Sequence, residues 1–194
     1  MRIHVSFVLI LLPLSAFLVA QEKPAPNIFK RLPAATEVNQ YPCAAGAAWF
    51  YAGGQLRTCR LARDASFGEA LAPAGSRIYL LGNGAPSYVF LSGNANIHGH
   101  VCRGVGHDLI TGFYPGGQLR TCWLATDEEI QGVPCMQTTF VGKFRSGDRL
   151  AASFYDNGRL KSCKISRDAL VQGVQFRRGA RVVLDSQGML VNPT

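Results

Sequence analysis

Hydrophobic and polar positions alternate in short runs along most of the chain, and glycine-containing turns separate these runs. The segments "GSRIYLL" at 75–81 and "GARVVLD" at 179–185 are typical, and each is followed by a Gly-containing turn. Such runs flanking Gly-Gly or Asn-Gly favour β-hairpins, because Gly and Asn accept the positive φ that tight turns need. No segment after residue 20 has sustained apolar spacing at i, i+3, i+4 and i+7. The pattern predicts an all-β protein.

The hairpin pattern recurs along the chain. The phrase "FYAGGQLRTCRLA" at 50–62 returns as "FYPGGQLRTCWLA" at 113–125 and "FYDNGRLKSCKIS" at 154–166. The turn glycines provide a landmark in each copy, at Gly54, Gly84, Gly117, Gly158 and Gly188. Intervals of this length are typical of repeat proteins. We therefore predict about five tandem β-hairpins in a single-layer antiparallel sheet or β-solenoid-like array, with a small β-propeller of three-stranded blades as the alternative.

Similar connectors lie between these hairpins. They read "NIHGHVC" at 96–102, "EIQGVPC" at 129–135 and "LVQGVQF" at 170–176, with "EVNQYPC" at 37–43 as a degenerate first copy. The alternation predicts a short third strand or an extended crossing. The fourth unit has extra residues around "TTFVGKF" at 138–144, which we expect to form a surface loop or an additional hairpin.

The start of the chain indicates export. Residues 1–20 combine a lone Arg2 with an apolar run and a small residue at a plausible cleavage point, which is typical of a signal peptide. Residues 21–35 are Pro-rich and charged and are predicted to be a flexible leader, followed by the β-repeat domain at 36–194. The predicted location is secreted or periplasmic. In an oxidising compartment, six cysteines favour disulfides over a metal site.

The cysteines predict their own pairing. Three units carry cysteine both at the connector position and at the strand position, whereas the second unit has Leu71 and Val89 there and the fifth has Phe176 and Pro193. Positions that are cysteine together or apolar together behave as a buried bridge that a buried contact replaces. We therefore predict the disulfides Cys43–Cys59, Cys102–Cys122 and Cys135–Cys163. The competing interpretations are pairing between units and buried free thiols.

The chain is basic, with 20 Lys and Arg against 12 Asp and Glu. Recurrent cations precede the strand cysteines and lie in the strands before the turns, at Arg57, Arg120, Lys161, Arg77, Arg149 and Arg181. Stacked hairpins bring equivalent positions about 5–10 Å apart when their strands are neighbours. These two ladders are candidate contacts for sulfated or phosphorylated polymers, and the alternative is that they are solvated residues that discourage edge aggregation. Near the turns, aromatic residues recur at Trp49, Trp123, Tyr51, Tyr114 and Tyr155, where sheet packing is favoured over sugar stacking.

Candidate chemistry is otherwise sparse. His98, His100 and Cys102 alternate, so they would share one face of a strand, with His107 and Asp108 nearby as further ligands for copper or zinc. However, the other connectors place Gln131 and Val133 at the histidine positions, which favours surface histidines and assigns no metal ligand. No nucleophile elbow, metalloprotease helix or phosphate-binding loop is present, so we predict no catalysis and no cofactor.

The phrase Tyr-x-x-Gly-x-Leu, at Tyr51–Leu56, Tyr114–Leu119 and Tyr155–Leu160, resembles MORN-type repeats. It is most similar to the variant in bacterial YwqK-like antitoxin and surface proteins. The resemblance implies a single-layer antiparallel sheet with one hairpin per repeat, and a binding or scaffold role.

The sequence therefore predicts an exported, non-catalytic repeat protein that acts as a binding or structural module of the cell envelope. The alternatives are a binder of anionic polysaccharide or lipid headgroups through the basic ladders, and a periplasmic metal-binding protein. The partner stays unknown at this point.

Overall fold

The computed structural model describes residues 27–68, 70–105, 109–139 and 151–191. Within these ranges the chain forms strands, turns and loops, and no helix. Ten of the described strands form one antiparallel sheet. In spatial order these are β1 (Ile28–Leu32), β4 (Gly46–Phe50), β5 (Leu56–Arg60), β8 (Arg77–Leu80), β9 (Pro86–Phe90), β12 (Ile110–Phe113), β13 (Leu119–Cys122), β16 (Ala152–Phe154), β17 (Leu160–Lys164) and β20 (Arg181–Val183).

The predicted Gly turns join the two strands of each hairpin in this sheet. The landmark glycines Gly54, Gly84, Gly117, Gly158 and Gly188 all have positive φ, between 76° and 90°. We call the hairpins of this sheet the main hairpins, of which the first four are β4–β5, β8–β9, β12–β13 and β16–β17. Each of these four has a bulge beside its turn, where the second strand has one extra residue. The fifth turn closes through an isolated bridge between Leu184 and Leu190. The all-β class and the open sheet of hairpins are confirmed, and the propeller alternative is wrong because the strands form one continuous sheet.

The connectors are short hairpins of their own, rather than single strands or crossings. They are β2–β3 (Thr36–Val38 with Tyr41–Cys43), β6–β7 (Ala65–Phe67 with Ala70–Ala72), β10–β11 (Ala95–Ile97 with His100–Cys102), β14–β15 (Glu128–Ile130 with Val133–Cys135) and β18–β19 (Ala169–Val171 with Val174–Phe176). They pack as a layer against one face of the sheet. The core lies between the two layers and includes Phe67, Ile97 and Val133 from the short hairpins and Phe154, Ile78 and Val89 from the sheet.

The three predicted disulfides are confirmed, with Cα–Cα distances of 5.8, 5.4 and 5.6 Å. Each bridge joins the second strand of a short hairpin to the second strand of the following main hairpin. The short hairpin folds back over the sheet. As a result, the backbone of Cys43 forms an isolated antiparallel β-bridge with that of Leu61, and the N–H of Ala44 donates to the carbonyl of Arg60. This return path is why cysteines 16 residues apart can meet.

In the second repeat unit, which has no disulfide, the apolar residue at the connector position was predicted one residue out of register. Leu71 is 55% exposed. The position that matches Cys43 is Ala72, because Ala72 pairs with Ala65 as Cys43 pairs with Thr36, and Ala72 is buried. Val89 and Phe176 are buried as predicted, whereas Pro193 lies outside the described residues.

The predicted flexible leader is wrong in part. Residues 28–32 form β1, whose five residues pair with β4 at one edge of the sheet. The ring of Phe29 lies 5.1 Å from that of Trp49, centroid to centroid, which gives this strand an aromatic contact on the sheet. The predicted signal peptide lies outside the described residues, as does most of the segment at 138–144. No helix in the described ranges is long and apolar enough to cross a membrane.

Candidate functional site

The face of the sheet opposite the short hairpins carries a marked excess of basic residues. The basic residues of the ten strands on this face are Arg31, Arg57, Arg60, Arg77, Arg120, Lys161, Lys164 and Arg181. Lys30 lies on the other face, opposite the buried Ala48. None of these ten described strands contains Asp or Glu. The excess of cations over carboxylates in these strands makes this face attractive to anions.

Several carboxylates are instead used in the turns that enter the short hairpins. Asp64, Asp127 and Asp168 each accept a hydrogen bond from a backbone N–H ten residues further on, at 2.7 to 2.8 Å. Asn94 does the same for Gly104 at 3.1 Å. These three carboxylates thus accept backbone hydrogen bonds at the entrances to the short hairpins and do not lie on the sheet.

The densest part of the basic face is a recess around Arg60 and Arg77. These two arginines are directly opposite each other on β5 and β8, and Phe90 is opposite Arg77 on β9. Together with Tyr79 and Ser92 they line a recess of about 550 Å³ that includes no carboxylate among its described lining residues. We call it the Arg60–Arg77 recess. Two guanidinium groups placed side by side offer forked donors that match sulfate, phosphate or carboxylate oxygens.

Aromatic rings form one wall of this recess. Tyr79 stacks on Tyr88 with ring centroids 4.3 Å apart, and Phe90 lies edge-on to both at 5.8 and 5.7 Å. Burial raises the pKa of the Tyr88 hydroxyl, as does Tyr79, whereas the nearby Arg57 lowers it. The wall is therefore neutral and partly apolar, which suits the flat side of a ring-shaped ligand.

The rim of the recess contains a strained residue. Val105 has φ of +63° and is 76% exposed, although β-branched residues rarely adopt positive φ. Its N–H donates to the carbonyl of Leu91, and the preceding Gly104 lies so close to the backbone of Gly93 that a side chain has no room there. Strain of this kind costs on the order of 1–3 kcal/mol and is enriched at functional sites.

A second basic pair lies further along the same sheet. Lys164 on β17 is directly opposite Arg181 on β20. Arg181 donates to the hydroxyl of Ser162 at 2.7 Å, and that hydroxyl is 2.8 Å from the hydroxyl of Ser153. Five strand spacings separate β8 from β17, or about 24 Å at ~4.8 Å per strand.

The predicted ladders are less regular than expected. Arg57, Arg120 and Lys161 all occupy the bulge beside their turns, but the second main hairpin separates the first two by four strand spacings, about 19 Å. Arg120 and Lys161 are about 10 Å apart, as predicted. Arg77 and Arg181 are six spacings apart, about 29 Å, because they lie in different basic pairs. Arg149 lies outside the described residues.

Neighbouring groups hold two of the ladder side chains in place. A Cβ added at Gly112 would lie 3.4 Å from the guanidinium of Arg120, so this side chain extends across the sheet over a glycine. Lys161 lies over the ring of Tyr155 at 5.3 Å.

Most of the recurrent aromatic residues contact other parts of the protein rather than extend into solvent. The hydroxyls of Tyr51, Tyr114 and Tyr155 donate to backbone carbonyls of another main hairpin, at Leu80, Phe154 and Leu184. Trp123 is buried against Leu109 and Ala151. Trp49 differs, because it is 40% exposed on the basic face.

The histidines do not share one face of a strand, so that expectation is wrong. His98 lies in the turn between β10 and β11 with φ of +52°, and its Nε2 is 3.2 Å from the carbonyl oxygen of Gly117. His100 Nδ1 is 2.6 Å from the carboxylate of Glu128, and Cys102 is in a disulfide. No group of three or more potential metal ligands forms among the described residues. His107 and Asp108 lie outside them.

Arg60 and Lys164 were missed in the sequence. Each is opposite a predicted ladder residue, but that pairing depends on which strand is the neighbour and in which register. Both follow a strand cysteine directly, as "CR" and "CK", and this shared position was the available clue.

Comparison of the chain with protein-family models, with curated proteins and with solved structures gives no match in any of the three. The likeness to MORN-type repeats therefore stays a prediction.

Proposed function

We propose that this chain is an exported, non-catalytic binding protein of the cell envelope whose open sheet face binds an anionic polysaccharide. The observation that carries the proposal is the charge of that face, where the ten described strands hold basic residues and no acidic ones. Three disulfides support an oxidising, exported environment.

The Arg60–Arg77 recess favours a polysaccharide over a lipid surface. Its volume of about 550 Å³ is large enough for a ring-shaped group, and its lining includes the arginines together with Tyr79 and Phe90. A sulfated or phosphorylated sugar offers both an anion for the arginines and an apolar ring face for the aromatic wall. A lipid headgroup carries the same anion, so the experiment includes vesicles.

The test measures binding of heparin by titration calorimetry at several salt concentrations. The double variant Arg60→Gln, Arg77→Gln should weaken binding by at least about tenfold, the equivalent of about 1.4 kcal/mol. It should also flatten the dependence of log K on log salt, because fewer counterions are released.

The matched control removes two arginines from the opposite layer. Arg63 and Arg167 are exposed and lie near Glu37 and Glu129, so the variant Arg63→Gln, Arg167→Gln loses the same net charge without touching the recess. Equal loss of affinity in both variants would reduce the effect to net charge and contradict the proposal. Tight binding to phosphatidylglycerol vesicles without binding to heparin would assign the face to lipid instead.

A further inference from the structure

Four of the five short hairpins in the described ranges are held to the turn of a main hairpin by one side chain. The first turn residue, always with positive φ, is Asn39, His98, Gln131 or Gln172. Gln131 accepts from the N–H of Leu160 and donates to the carbonyl of Gly158, and Gln172 does the same at Leu190 and Gly188. Asn39 accepts from the N–H of Leu56. These contacts seat each short hairpin over the turn that follows it.

In the short hairpin β6–β7, no described turn residue makes such a contact. Gly68 occupies the first turn position, where the other short hairpins have Asn39, His98, Gln131 or Gln172. It has no side chain to reach the turn at Gly84. The partner is also absent, because Pro86 occupies the position of Leu56 and Leu160 and has no N–H. Gly68 lies instead against another turn, where an added Cβ would be 3.0 Å from the carbonyl oxygen of Gly117, and Phe67 contacts Phe113 with ring centroids 5.1 Å apart.

Two adjoining recesses are found beside β6–β7. They have volumes of about 560 and 600 Å³ and share Gln40, Tyr41 and Gly84 in their lining. We call them together the Gly84 recess. They share no lining residue with the Arg60–Arg77 recess.

A strained residue projects at the centre of this site. Gln40 has φ of +67° at the second turn position, where β10–β11, β14–β15 and β18–β19 have Gly99, Gly132 and Gly173. Glycine adopts this conformation without steric cost, whereas glutamine does not. Gln40 lines both halves of the recess. Burial raises the pKa of Tyr41, and the side chain of Gln40 lowers it. A strained residue kept where neighbouring turns use glycine points to a role in binding.

The walls of the recess are polar and nearly neutral. Side-chain amides come from Asn39, Gln40, Gln55 and Asn83, and hydroxyls come from Tyr41 and Ser66. Among its described lining residues, the two charged ones are engaged, since Arg63 lies 3.7 Å from Glu37 and Asp64 accepts from the N–H of Ala74. Amide groups both donate and accept, so they complement a ligand that carries its own amides and hydroxyls.

We infer that the Gly84 recess is a second binding site, which takes a neutral oligosaccharide bearing acetamido groups. It is independent of the anion site because the two recesses share no residue and have opposite chemistry. Occupancy of both sites would let one chain contact two kinds of glycan.

The test titrates triacetylchitotriose into the full chain and follows backbone amide shifts by NMR together with calorimetry. Shifts should concentrate at residues 39–41 and 82–84. The variants Gln40→Gly and Gln55→Ala should each weaken binding at least tenfold, and Gln40→Gly should also raise Tm because the strain is removed. Gln118→Ala is the matched control, since Gln118 has the same place in the phrase "GGQL" of the third main hairpin and should leave affinity unchanged.

The fully deacetylated chitotriose tests the assigned chemistry and should not bind. Equal binding of both trisaccharides, absence of binding, or unchanged affinity in both recess variants would each overturn the inference. Heparin affinity of Gln40→Gly should equal that of the unmodified chain, so that failure at this site is distinguishable from failure at the basic face.

Discussion

Arg60 and Arg77 face each other across β5 and β8, as a pair of like charges in direct cross-strand register. Two like charges in this position destabilise a sheet. The expected size of the effect is similar to that of a favourable cross-strand pair, which contributes roughly 0.2–1 kcal/mol. Replacing either arginine by glutamine should therefore raise the free energy of unfolding by several tenths of a kcal/mol while weakening heparin binding. Urea denaturation of the two single variants measures the first effect.

The comparison for this prediction is Arg167→Gln. Arg167 lies 3.0 Å from Glu129 on an exposed part of the hairpin layer, and its loss should lower stability slightly or leave it unchanged. If Arg60→Gln and Arg77→Gln both destabilise the protein, the two arginines contribute packing that outweighs their repulsion, and the pair is structural.

Much of the fold follows from local pattern. The Gly turns specify hairpins because a positive φ is needed within two residues of each strand end. The cysteines predict their partners because, from one repeat unit to the next, both positions are cysteine or neither is. The layer of short hairpins was harder to foresee. In "NIHGHVC" the turn residue His98 looks like a strand residue until the type of turn is known.

The binding face depends on longer-range geometry. Residues as close in sequence as Arg60 and Arg77 become neighbours only because a short hairpin returns the chain to the sheet in a specific register. The error at Leu71 has the same origin, since the two-residue turn of β6–β7 sets which of Leu71 and Ala72 faces the core. A slip of one residue moves a side chain from one face to the other.

The second main hairpin suggests how to replace a disulfide. Its strand β9 has Val89, and the short hairpin before it has Ala72, at the places of the bridged cysteines. We expect the variant Cys43→Ala, Cys59→Val to fold and to lose around 3 kcal/mol of stability, since the unfolded chain is released from its cross-link. Thermal unfolding under non-reducing conditions measures the loss.

The single variant Cys43→Ala provides the control for this exchange. It leaves an unpaired thiol at Cys59 and loses the same cross-link, so it should be no more stable than the Ala–Val variant. A stability of the Ala–Val variant equal to that of the unmodified chain would show that this bridge contributes nothing measurable.

The hydrogen bonds from the first turn residue of each short hairpin to a main-hairpin turn predict different changes in stability at two equivalent positions. His98→Gln should change stability by less than about 0.5 kcal/mol, because Gln131 and Gln172 already perform the clamping role elsewhere. Gln131→Ala should cost about 1–2 kcal/mol, since it removes two hydrogen bonds and leaves the N–H of Leu160 without its acceptor. Denaturant titrations compare the two, and a large loss for His98→Gln would indicate that the imidazole does more than clamp.

Stability should fall in alkaline solution. Burial is the main cause that raises the pKa of Tyr41, Tyr88 and Tyr114 above the ordinary value of 10.0. The folded protein therefore retains protons that the unfolded chain loses, so the tyrosine contribution is fully present below pH 10 and is lost as pH rises through the raised pKa values. Urea unfolding at increasing pH should show this decline, and Tyr41→Phe should make it shallower. A decline of equal slope in Tyr41→Phe would assign the effect to other groups.

The spacing of the two basic pairs makes binding depend on ligand length. Arg60–Arg77 and Lys164–Arg181 are separated by about 24 Å on one face, so a sulfated oligosaccharide shorter than this distance contacts one pair, and a longer one contacts both. The second contact is then intramolecular and raises affinity well beyond that of either pair. Size-defined heparin fragments should show a sharp gain in affinity once their extended length exceeds this separation. Neutralising Lys164 and Arg181 should abolish the gain for long fragments and barely affect short ones, because short fragments still bind at the Arg60–Arg77 recess. A gradual rise with length that this variant leaves intact would mean that the two pairs act separately.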